Sequence, residues 1–239
     1  MKKLLILLLL GVGTGVSAQT IVQQFVSIGS AGQVVDLDLP KPSAKGSMII
    51  AMPTPLSAGV KVVSVTDNAP AGGNIYRQVT GATASAGGKD LEIWYCENCN
   101  PDATELKFHL SDFAKGSIDT VLEVAGLEHY AALDGDGAHV SDGVATSDGS
   151  EIGPSIKTTA NDFVIARYTA TAMNHPTGVT PAAWTYQTTH IFVPNGPPGT
   201  YQPTLTGGKA GNSFAMGIAA FKVAKDAAPA ADAKPLEHE

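Results

Sequence analysis

The sequence predicts an all-β protein, a sandwich or barrel of antiparallel strands, and two observations lead there. Short runs rich in Val, Ile, Thr, Tyr and Phe alternate with clusters of Gly, Pro, Asn, Asp and Ser over nearly the whole length after residue 18. Apolar residues at helical spacing are missing beyond that point, and 26 glycines with 15 prolines break what could have formed helix. Strands are expected at 21–28, 33–39, 47–52, 60–66, 74–80 and 91–96, then at 105–110, 118–124, 155–158, 163–169, 184–187, 190–193, 200–206 and 213–223. In the second of these, Val34, Leu37 and Leu39 sit among Asp36 and Asp38, so one face is wet. The last, which begins SFAMGIAAF, is apolar nearly throughout and belongs in the centre, with Gly217 and the alanines allowing a second layer to approach closely. Its Phe and Met residues read as core.

The two ends read differently from the middle. Residues 1–18 carry two lysines, an apolar stretch from Leu4 to about Val16 and the small residues Ser17 and Ala18, the pattern of a cleavable bacterial signal peptide. The strong hydrophobes break at Gly11, Gly13 and Gly15, short of the roughly 20 residues a membrane span needs. The expectation is therefore export to the periplasm or the extracellular space, with a mature chain from Gln19 and no membrane insertion after cleavage. Residues 19–223 read as one β-sandwich domain. Residues 224–239 lack aromatic and β-branched side chains and read as a disordered tail, ending in Leu236-Glu237-His238, which resembles the start of a vector-derived affinity tag.

Loss of Lys2 and Lys3 takes the formal net charge from −7 to −9. Only two arginines occur, Arg77 and Arg167, and the lysines are scattered, which argues against nucleic acid as a partner.

The order of motifs resembles a group of secreted bacterial proteins. Val63-Ser64-Val65-Thr66-Asp67 followed by Gly73-Asn74-Ile75-Tyr76 is similar to a recurrent VTSVTDxxGNTY pattern. Leu91 to Tyr95 resembles the group's IWYAxN strand, Val121 to Leu127 its VLEYSGL strand, Thr158 to Val164 its TTxxNDLLV segment, and Met216 to Phe221 its closing strand. The resemblance implies a jelly-roll-like antiparallel β-sandwich, found alone or beside adhesive and carbohydrate-binding modules, with no known active site. The chain departs from the pattern at Cys96 and Cys99 and in the Pro-rich segment 194–203.

Cys96-Glu97-Asn98-Cys99 is the most conspicuous constellation. For the only two cysteines of an exported protein a disulfide is the default. Extended, the two Cα atoms would lie about 10 Å apart at roughly 3.3 Å per residue, beyond the limit of about 7 Å for bridging. A bridge therefore requires a turn at Glu97-Asn98, for which Asn98, Asn100 and Pro101 supply the chemistry. Redox catalysis would want a following helix, and zinc would want two further ligands.

Asp134, Asp136 and Asp142 form the best calcium candidate, since hard cations seek several oxygens on one loop. Against an EF-hand pattern, Ala138 interrupts the series and Ala145 takes the place of the closing Glu; solvated turns explain the Asp-Gly pairs as well. His109, His129, His139, His175 and His190 form no HExxH or HxH pattern, and no Gly-x-Ser-x-Gly elbow occurs. Carboxylates of a glycosidase need only lie about 5 to 9.5 Å apart in space, which a sequence does not show.

Trp184 and Tyr186 alternate on one strand and Tyr201 lies in the loop-rich PNGPPGTYQP, so the three are candidates for a ligand platform; core packing is the competing reading of Trp184. The expected function is that of a secreted, non-catalytic binding or cell-surface module engaging a glycan or envelope component. Two alternatives stand beside it: a filament or matrix subunit that self-associates by adding strand 21–28 to the next copy, and a secreted glycan-active hydrolase.

Overall fold

The computed structural model describes residues 19–70, 72–170, 176–187 and 189–225. The expected signal peptide at 1–18, the tail beyond Lys225 and His175 lie outside the described residues.

The protein is an all-β antiparallel sandwich whose sheets do not close into a barrel. One inner sheet runs in the order Thr20–Gly29, Ser117–Ala125, Met48–Met52, Trp94–Cys96, Arg77–Gln78. A second inner sheet runs Ala138–Val144, Ser213–Lys222, Asp162–Ala170, His190–Gly196, Thr185–Tyr186. The first is covered on its outer face by the three-stranded sheet Gly32–Asp38, Glu105–Ala114, Val62–Asp67. The second is covered by two short ladders, Glu151–Ile152 with Thr204–Thr206 and Gly178–Thr180, and Ile156–Lys157 with Thr200–Tyr201.

Among the described residues four layers enclose three large cores in succession, with a fourth, small cluster of Ala84, Ala86, Leu91 and Ala215 beside them, and this explains why several strands are apolar on both faces. In Met48–Met52 every residue is buried: Ile49 and Ala51 face the outer three-stranded sheet, while Met48, Ile50 and Met52 face the second inner sheet. Phe163 and Ile165 meet them in the middle core, and Val164, Ala166 and Tyr168 turn into the third. Alternate residues of a strand point to opposite faces, so a strand between two cores needs apolar residues at every position. Gly217 is required by one such close approach, since a Cβ there would collide with the Ala82 carbonyl of the short turn Thr80–Ala82.

The inner sheets are also tied by a buried cation. Arg167, 2% exposed, donates to the Thr189 carbonyl at 2.6 Å and, across the layer, to the Ile118 carbonyl and the Thr54 hydroxyl, each at 3.1 Å. Burial lowers its pKa to about 10, which leaves it charged at neutral pH.

Every predicted strand region contains a strand, several of them shortened, as at Arg77–Gln78 and Thr185–Tyr186. The segment expected to be an aspartate-rich loop is in part strand, Ala138–Val144, an edge paired with Ser213–Lys222. Its ladder is interrupted between Val140 and Gly143, where Asp142 takes a φ of 46°. The polar residues are tolerated because this is an edge strand and a bulge absorbs the Asp-Gly pair.

Candidate functional site

Cys96 and Cys99 are joined by a disulfide, with Cα atoms 5.9 Å apart and Asn98 at a φ of 52° forming the required turn. This four-residue loop lies outside the lining of a cleft of about 640 Å³ but is hydrogen-bonded to both segments that wall it, 44–47 and 125–130. On one side the Cys99 N–H donates to the Ser47 carbonyl and the Gly46 N–H to the Cys99 carbonyl, both at 2.9 Å, fixing the wall formed by residues 44–47. On the other side Asn98 Nδ2 donates to the Tyr130 hydroxyl at 3.2 Å, and Glu97 accepts the Ala132 N–H at 2.9 Å, fixing the wall formed by residues 125–130. Glu97 is held in turn by an ion pair with Arg77.

Below the first wall lies Glu123, 1% exposed. Its carboxylate accepts the Ala44 N–H, the Ser47 hydroxyl and Gln23 Nε2, each at 2.6 Å. A buried carboxylate survives desolvation when several donors replace its water, and here the donors come from one wall of the cleft and from the first strand. Tyr130 lines the cleft, 77% exposed with its hydroxyl anchored. Lys45, Glu128, His129 and Lys225 share the lining.

The VTD and GNIY segments explain how the loop is seated. Asp67 accepts the N–H groups of Ala69 and Asn74, the Asn74 amide and the Tyr76 hydroxyl, closing the intervening turn. Asn74 Oδ1 then accepts the Asn100 N–H at 2.7 Å, just after Cys99. These residues do structural work for the loop that braces the two walls.

The other predicted site residues fall elsewhere. Trp184 is 5% exposed and packs in the third core, edge-on to Tyr201 at a centroid distance of 6.4 Å. Of its two readings the structure shows core, and Trp184 offers no open ring face, while Tyr201 lines a separate cleft with residues 193–195 and 197–200. Tyr186 and Tyr201 are half-buried, and their hydroxyls donate to the carbonyls of Pro176 and Pro197. Asp134 is buried and accepts the Thr159 N–H at 2.7 Å and the Thr159 hydroxyl. Burial alone would raise its pKa, but the Thr159 backbone and hydroxyl donors hold it below the usual range. Asp136 is exposed and Asp142 sits at the bulge, so the three aspartates do not share one loop surface. Among the described residues no group of three His, Cys, Asp or Glu side chains is placed to hold a metal ion.

Tyr130 was not legible as a site residue, because GLEHY has no pattern of its own. The available signal was an aromatic residue lying outside every predicted strand in a chain with few aromatics. Comparison of the chain with protein-family models, with curated proteins and with solved structures gave no match.

Proposed function

We propose that the protein is an exported binding module that holds a sugar-containing component of the cell envelope or its surroundings in the cleft between residues 44–47 and 125–130. The observation that carries this reading is Tyr130, an exposed ring whose hydroxyl is tied to a disulfide-closed loop. A ring held in place before binding loses little freedom on binding, which is where weak recognition sites gain affinity. Aromatic faces complement the apolar faces of sugar rings, and polar groups around them set orientation. The disulfide and the all-β fold are compatible with export, and among the described residues no helix is long and apolar enough to cross a membrane.

The test is retention of the full chain on immobilised envelope polysaccharides and peptidoglycan, compared with Tyr130→Ala. The expected result is saturable retention by the parent and a loss of roughly tenfold in affinity, about 1.4 kcal/mol, in the variant. Equal retention of both proteins, or retention of neither, overturns the reading.

A further inference from the structure

The charges on the cleft point to a narrower ligand class than the fold does. The chain carries a formal charge of −7, yet the lining places two ammonium groups, Lys45 and Lys225, around an exposed tyrosine. Both lysines are exposed and neither forms an ion pair among the described residues, a state they share with every described lysine but Lys107; what sets them apart is that both line one cleft beside an exposed aromatic ring. Lys222 lies just behind, its ammonium donating to the Ala131 carbonyl at 3.2 Å, so it adds positive charge to the same loop. Of the acidic side chains nearby, Glu128 lines the cleft, Glu97 is neutralised by Arg77, and Glu123 is buried under three donors. His129 completes the polar rim.

We infer that the ligand of this cleft is an acidic glycan, a pyranose ring bearing a carboxylate, with the ring on Tyr130 and the carboxylate between Lys45 and Lys225. The inference rests on the reading of the cleft as the binding site. Two ammonium groups on one cleft, with a third just behind, make that cleft the place on a protein of opposite overall charge where an anion meets least repulsion. Exposed pairs are individually weak and screened by salt, so the contribution is one of selection among ring ligands and of salt sensitivity.

The experiment is calorimetric titration of the full chain with an oligogalacturonate and with the same oligomer fully methyl-esterified, at low and at raised salt. The acid form is expected to bind about tenfold more tightly than the ester, to lose that advantage as salt rises, and to lose it also in the Lys45→Ala/Lys225→Ala double variant. Tyr130→Ala is expected to weaken both forms. Equal affinity for acid and ester in the parent protein, with Tyr130→Ala still weakening both, overturns the anionic inference and leaves the cleft reading standing. Binding of neither form also overturns it, and the fate of the cleft reading is then decided by the polysaccharide retention described above. Both lysines are exposed, and the comparison of acid with ester in the parent protein needs no variant to fold.

Discussion

Glu151 illustrates what a single side chain decides. It has no exposed surface, and neither carboxylate oxygen has a hydrogen-bond partner. Burial raises its pKa from 4.5 to about 7. Asp162 moves the same way, to about 7, through burial and then through the charge of Asp134 beside it. A carboxyl whose folded pKa lies above its unfolded value binds the extra proton in the folded state. Its stabilising contribution is complete below about pH 4.5 and is lost as pH rises through about 7. His190 runs against this: burial, and then Arg167, lower its pKa to about 3, so its contribution is present above about pH 6.5 and fades as pH falls. The prediction must therefore isolate one group. Glu151→Gln should gain stability relative to the parent between pH 5 and pH 8, on the order of 1–3 kcal/mol, read from chemical denaturation at the two pH values. A variant-to-parent difference that stays constant with pH would overturn the assignment. Nothing in the sequence around Glu151 marks it as buried; its neighbours are Ser, Ile and Gly in a turn-rich stretch. Trp184, in contrast, was legible as one of two readings, and only its packing against Tyr201 chose between them.

Among the elements, the four-residue disulfide loop has most influence on the cleft, because both walls hydrogen-bond to it. Closing so small a loop restricts the unfolded chain modestly, by about 2 kcal/mol in the chain-entropy treatment. The larger consequence is positional. Cys96→Ser/Cys99→Ser should lower stability by about that amount and weaken ligand retention nearly as much as Tyr130→Ala, by roughly tenfold. Thermal unfolding and the retention assay check the two parts separately; full retention in the double variant would show that the loop does not position Tyr130. The bridge itself could be anticipated from cysteine number, turn chemistry and expected export. Its partners could not, since residues 46–47 and 130–132 lie far from it in the chain and reach it only through the sheet order. The same limit applies to Ala138–Val144, where Asp-Gly pairs read as turns and only pairing with Ser213–Lys222 makes a strand. It applies also to Thr20–Gly29, legible as a strand but visible as the edge of its sheet, with Val26 and Ile28 48% and 81% exposed, only in the assembled fold.

Across the whole molecule, stability depends on the middle core, where residues 48–127 meet residues 132–221. Phe221 is fully buried there, against Tyr95 at a ring-centroid distance of 5.1 Å. Phe221→Ala should cost about 3–5 kcal/mol. Because the core is shared, the two halves should unfold together. Trp94 lies in the first core and Trp184 in the third, so Trp94→Phe and Trp184→Phe variants let fluorescence follow each half alone. Coincident denaturation midpoints are expected in both; separated midpoints would mean that the halves fold independently. The all-β class, the approximate place of each longer strand and the need for a turn between the cysteines can be read from the chain alone. These follow from local propensity and from the period-two alternation of apolar residues, which neighbours in the chain are enough to express. The layering around three large cores, the burial of Trp184, the separation of the aspartates and the place of Tyr130 in the lining of a cleft come from the assembled fold. Each of those depends on residues distant in sequence coming into register, and the pairing of one strand with another is not written in either strand alone.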